Sequence, residues 1–201
     1  MTEIVAVPAG EWHEQVRTRL AAGGRFATLY ASQEGSVRCV IVARDGTEVI
    51  LQSPAGAVVR SIVDLTPAAD WPEREAHDLF GIRFEGHEPM RPLVGHSGEW
   101  RVPVTGEGVH EIAVGPIHAG VIESGHFRIH AVGELMLLVD VRLFYKHRGL
   151  EQAARGLSLS DALPLVQRAC AGCAVTNTVA YSLAAEQLSG HEPSPEAAWV
   201  R

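Results

Sequence analysis

The run Glu73-Arg74-Glu75-Ala76-His77-Asp78-Leu79-Phe80-Gly81-Ile82-Arg83-Phe84-Glu85-Gly86-His87 constrains the fold more than any other part of the chain. It is too charged for an ordinary core and too apolar for a linker. Trp71-Pro72 opens it, and proline suits the first turn of a helix, where its missing N–H would be unpaired anyway. Glu73 and Glu75 complement the positive end of the helix dipole, which predicts a short helix from about Trp71 to Leu79. Gly81 can take the left-handed conformation that ends a helix. Ile82-Arg83-Phe84 then alternates as a short strand with Ile82 and Phe84 on one face. From the residues alone, this run could equally be a solvated surface element.

Upstream, Trp12, Val16 and Leu20 lie four apart in 11–22, the stripe of an amphipathic helix, and Gly23-Gly24 ends it. Residues 26–31, 36–43 and 48–53 are β-prone runs separated by Gly35, Asp45-Gly46 and Pro54-Ala55-Gly56, which are hairpin signals. Val58 to Leu65 has the composition of a further strand. The pattern predicts an α+β fold, an antiparallel sheet with helices on one face. Cys39, alone in a predicted strand, is expected to be a small buried hydrophobe.

Pro92, Pro103 and glycines at 95, 98, 106 and 108 punctuate an irregular connector. This puts a boundary near residue 95 and two domains at 1–95 and 96–201, which 201 residues can accommodate. In the second, residues 127–143 alternate around Gly133-Glu134 as a β-hairpin. Gly115-Pro116 and Gly120 break the preceding run into a loop carrying His118, with His126 at its far arm. Each histidine can be a hydrogen-bonded loop residue or a proton-exchanging group near neutral pH. Arg148 and Glu151, three apart in Lys146-His147-Arg148-Gly149-Leu150-Glu151, could pair on a helix or hold neighbouring segments. Residues 176–188 read as a helix ended by Gly190, and His191 to Glu196 as the start of another.

Cys170-Ala171-Gly172-Cys173 has the only metal-like spacing. Two thiols at i and i+3 on a helix could hold one metal, form a redox pair, or fill a helix interface, and a helix start or Arg168 would lower their pKa. Three cysteines are too few, and too odd in number, for a disulfide framework, and reduced thiols are expected. A net charge of −7 argues against a general nucleic-acid binder and for basic protein surfaces as charged partners. No apolar run approaches the ~20 residues of a membrane span, and the first residues lack a signal-peptide pattern. A cytoplasmic location is expected.

The order E-R-E-x-H-D-L-F-G-I-x-F-x-G-H resembles the signature of the 30-kDa subunit family of respiratory complex I (NADH dehydrogenase) and its relatives in membrane-bound [NiFe] hydrogenases. It departs at Glu88, where the family has proline, with Pro89 one place later; Met90 and Arg91 match. The resemblance implies a subunit-docking role for Glu73, Arg74, Glu75, Asp78, Phe80, Gly81, Gly86, His87 and Arg91. G-P-I-H-A-G-V-I-E-S-G-H-F-R at 115–128 and H-R-G-L-E at 147–151 resemble the start of the [NiFe]-hydrogenase large subunit and the complex I 49-kDa subunit. There the loop lines a quinone pocket or its hydrogenase counterpart, which makes His118 and His126 the candidate catalytic positions and Arg148, Glu151 and Arg168 supporting ones. The family's R-x-C-G-x-C-x-x-x-H metal motif is only half kept: Arg168, Cys170 and Cys173 match, Gly172 is displaced, and Asn177 replaces the histidine. Asparagine cannot do imidazole's proton chemistry.

The resemblance therefore implies a 30-kDa-type domain joined to the opening part of the large subunit. The expected function is a peripheral-arm subunit of a membrane-bound energy-converting oxidoreductase, peripheral on the cytoplasmic side of the inner membrane through partner subunits, with a loop near the quinone or proton path. It is not expected to be catalytic as an isolated chain. No cofactor is expected in this chain alone; iron–sulfur clusters are expected in partner chains, and neither zinc nor nickel at Cys170 and Cys173. The alternative is a non-catalytic assembly or scaffold protein with a structural metal on that cysteine pair.

Overall fold

A computed structural model describes residues 2–94, 101–116, 124–143, 145 and 148–200. The chain divides into two compact units, one of residues 1–109 with 140–143 and one of 110–139 with 144–201.

The first unit is built on a four-stranded sheet. Strands β1 (Thr2–Ala6), β2 (Arg25–Ala31), β3 (Val37–Val42) and β4 (Glu48–Gln52) lie in the order β1-β4-β3-β2. The predicted hairpins form β2–β3 and β3–β4, both antiparallel, with Cys39 opposite Leu29 on one side and Leu51 on the other. Strand β1 joins β4 in parallel. This makes the sheet mixed at one edge, a pairing too short and too close to the N-terminus for periodicity to show. Along β3, Val37, Cys39 and Ile41 are buried while their neighbours are half-buried, the period-2 pattern of a strand with one face on the core.

Helix α1 (Trp12–Ala21) sends Trp12 and Val16 into that core. Helix α2 (Asp70–Phe80) packs against β2 and contributes Ala76. Gly81 ends α2 at φ +68°, the left-handed cap that its position predicts. Ile82 and Phe84 then both turn inward. The expected strand over 58–65 is only Val59–Arg60 (β5), paired in parallel with Phe84–Glu85 (β6). Ser61 still donates its N–H to the Glu85 carbonyl at 2.8 Å, and beyond it the chain is drawn into a turn, because the Ile62 N–H bonds to the Glu73 side chain of α2 instead of a strand neighbour.

Strands β7 (Val109–Val114), β8 (His126–Val132) and β9 (Leu135–Arg142) form a three-stranded sheet in the order β7-β8-β9, with the predicted turn at Gly133-Glu134; apart from Val109 and the 140–142 end of β9, these residues belong to the second unit. Arg128 pairs with Glu111, tying β8 to β7. Helices α3 (Leu150–Ala154), α4 (Leu159–Gln167), α5 (Ala174–Ser189) and α6 (Pro195–Val200) follow. Ser158 caps α4 by accepting the Asp161 N–H at 3.1 Å, a side-chain oxygen satisfying an otherwise orphan amide. Helices α4 and α5 pack together, and Tyr181 donates to the Leu159 carbonyl at 2.8 Å. None of the residues of α5 is fully buried, and Val175, Leu183 and Leu188 are exposed. Among the described residues no helix is long and apolar enough to cross a membrane.

Candidate functional site

The charged run that opens α2 does not face solvent. Glu73 is completely buried, and Arg74 and His87 nearly so. A buried carboxylate is tolerable only where its lone pairs are used. Glu73 accepts from Ser61 Oγ at 2.8 Å, the Ile62 backbone N–H at 2.8 Å and His87 Nδ1 at 2.7 Å. The other ring nitrogen of His87 lies 3.2 Å from Asp70 Oδ1. Imidazole is thus held edge-on between two carboxylates of one helix turn. Arg74 completes the network: it pairs with Asp70 at 3.0 Å and donates to the carbonyls of Arg91 at 2.7 Å and Pro92 at 3.3 Å.

One turn on, Asp78 Oδ2 accepts the N–H groups of both Leu93 and Val94 at 2.7 Å. His77 Nδ1 is 2.8 Å from the Ile82 carbonyl across the helix end. Arg91 pairs with the buried Asp140, which also accepts the Val102 N–H at 2.9 Å, and the Leu143 N–H reaches the Leu93 carbonyl at 3.2 Å. One face of α2 therefore latches a strap of chain, residues 86–94, to itself and to 140–143. Its other side presents Trp71, Leu79 and Phe80, each about two-fifths exposed or more.

The expected docking residues divide accordingly. Glu73, Arg74 and His87 point inward and their polar atoms are engaged inside the unit, so direct contact with a partner is closed to them. This corrects the view that the run is too charged for a core. Asp78 and Arg91 are partly buried in the latch, and Glu75 is half-buried. Phe80, Gly81 and Gly86 are exposed. Sequence reasoning missed Ser61, Asp70 and Asp140. Asp70 and Arg74 carried a signal, an opposite-charge pair four apart, and Asp140 sits conspicuously in the apolar strand Leu135–Arg142.

Glu73 also acts on Cys39. Burial, and then the negative charge of Glu73, push the Cys39 thiol up to about 12, which leaves it an inert, protonated core residue.

In the second unit His118 lies outside the described residues. His126 is half-buried at the start of β8, with its ring edge-on to Tyr145 at a centroid distance of 6.5 Å. Arg148 precedes α3, and its guanidinium donates to the carbonyls of Arg168 at 2.9 Å and Ala169 at 2.6 Å. It thereby holds the backbone leading into the cysteine pair. Glu151 is exposed in the first turn of α3, and Arg168 is exposed at the end of α4. Cys170 and Cys173 flank a single 3-10 turn ahead of α5 instead of sharing a helix face. The thiols hydrogen-bond one another, and that contact, followed by the neighbour's charge, raises the Cys173 pKa. For Cys173 this is opposite to the expected lowering by Arg168 or the helix start. Among the described residues no three His, Cys, Asp or Glu groups gather as a metal site. Cys39 is sealed in the first unit's core.

Residues 7–106 match the family described as the respiratory-chain NADH dehydrogenase 30 Kd subunit, a span that takes in β2, β3, β4, α2 and the strap. This part of the chain belongs to that family. The similarity continues past it. Hydrogenase-4 component G of Escherichia coli (strain K12) is 31% identical over 207 residues, covering 89% of this chain and 36% of that protein. Formate hydrogenlyase subunit 5 of the same organism is 28% identical with the same two coverages. The C/D 2 subunit of NADH-quinone oxidoreductase from Aquifex aeolicus (strain VF5) is 26% identical over 194 residues, covering 70% of this chain and 33% of that protein. The order expected from the two signatures, a 30 Kd-type domain followed by the opening part of a 49-kDa-type region, agrees with these relatives. The chain spans about a third of the length of each of them.

Proposed function

We propose that the chain is a subunit of an energy-converting oxidoreductase of the NADH–quinone oxidoreductase or hydrogenase type, and that it serves the complex by fit. The observation that carries this reading is the continuous similarity across both units to Hydrogenase-4 component G, together with the 30 Kd subunit family match over the first. In this reading the buried latch holds α2 and the strap rigid, so that Trp71, Leu79 and Phe80 meet a neighbouring subunit without an ordering cost. The segment containing His118 and His126 lies toward the quinone or proton path, and electrons travel through iron–sulfur clusters of partner chains. Neither zinc nor nickel is held at Cys170 and Cys173. The chain sits on the cytoplasmic face of the membrane through its partners.

The test separates the latch from the surface. Leu79→Glu and Phe80→Glu are expected to leave the thermal unfolding of the purified chain unchanged while lowering its recovery with detergent-solubilised partner subunits at least about tenfold, the effect of losing one buried apolar anchor. Unchanged recovery with both variants would contradict the docking role of this face.

A further inference from the structure

The cysteine pair is more than a half-kept metal motif. The Cys173 N–H donates to the Cys170 carbonyl at 3.2 Å, closing a one-turn loop. Such an i to i+3 turn keeps its end Cα atoms within about 7 Å, and disulfides span up to about 6.8 Å. Cys173 is exposed and Cys170 half-buried beside it. Gly172, between them, has no atom within 4 Å of where a Cβ would stand, so the turn is open to a small reagent. Arg148 fixes the carbonyls of Arg168 and Ala169 just ahead, which holds the turn in register.

We propose that Cys170 and Cys173 form a redox-modifiable dithiol that closes to an intrachain disulfide by exchange with a low-molecular-weight disulfide. This stands on the turn itself and not on the functional reading above. In the first step one sulfur of the pair, as thiolate, bonds to one sulfur of the reagent, whose own S–S bond breaks and releases one thiol. The other cysteine then attacks that protein sulfur and displaces the second thiol. The protons of the two cysteines end on the two released thiols, the protein loses two electrons, and the reagent gains them. Cys39 takes no part because the core encloses it.

The experiment equilibrates the full chain, without oxygen and with a metal chelator, against increasing ratios of oxidised to reduced glutathione. Samples are quenched in acid, labelled with a maleimide after unfolding, and mapped by peptide mass. The expected result is the joint loss of two of the three labels, with the peptide holding Cys170 and Cys173 lighter by two hydrogens and free of glutathione. Cys170→Ser and Cys173→Ser, which block closure, instead retain glutathione on the remaining thiol. Full labelling of both thiols at the most oxidising ratio, glutathione retained on the parent chain, or a bond between two chains would each overturn the proposal.

Discussion

Removing the Glu73 carboxylate tests the latch most severely, because three donors converge on it in a region without solvent. In Glu73→Ala the Ser61 hydroxyl, the Ile62 amide and His87 Nδ1 all lose their acceptor. Each buried group left unpaired costs about 1–3 kcal/mol, but they relax together, so breaking the buried arrangement is expected to cost about 3–5 kcal/mol in all. That is a large share of the roughly 5–15 kcal/mol that holds a domain folded. Part of the loss in Glu73→Ala would come from the vacated volume. Glu73→Met fills that volume without an acceptor, and is expected to retain most of the cost. Glu73→Gln keeps the shape and one carbonyl for the Ile62 amide, and is expected to cost less, about 1–2 kcal/mol. The assay is urea unfolding of the full chain, followed by hydrogen exchange at the Ile62 amide so that the first unit is seen separately. A Met variant as stable as the parent would refute the reasoning, since the carboxylate would then be acting only as a filler.

Asp78→Ala releases the Leu93 and Val94 amides from their shared acceptor; a loss of about 1–3 kcal/mol is expected, with faster exchange at those two amides while Ile62 stays protected. Cys39 makes the first unit sensitive to alkali. From its ordinary value near 9.0 up to about 12 the unfolded thiol has lost its proton and the folded one has kept it. The folded state then binds more protons, so stability is intact below about pH 9 and falls as pH rises toward 12. The drop is on the order of 4 kcal/mol, and Cys39→Val, measured by the same urea series across pH, should show a correspondingly flatter decline.

Much of the first unit was legible because its signals are local. Gly23-Gly24, Asp45-Gly46 and Gly81 each stop an element where the backbone requires it, and alternation in β3 marks Cys39 as a core residue. What sequence could not show is non-local. Glu73 and Arg74 look like a solvated helix start until Ser61, His87 and the carbonyls of Arg91 and Pro92 are brought around them, and partners 11 to 18 residues away leave no periodic trace. The short β5 follows from the same cause, since Ile62 gives its amide to Glu73. In the second unit the hairpin and α5 were readable from alternation and from Gly190, which caps α5 at φ +68°. The cysteine spacing was visible too, but its setting was not: a helix would present both thiols on one face, whereas Cys170 stands in extended backbone at the start of a 3-10 turn that Cys173 ends.

The central claim, that this chain serves a larger oxidoreductase by fit, is tested most directly by native separation of detergent-solubilised membranes from cells producing a tagged copy at natural levels. The account predicts that the tagged chain migrates with an assembly containing iron–sulfur subunits, and that Glu73→Ala removes it from that position. A chain found only as a free species, with that assembly intact and active in its absence, would contradict the account.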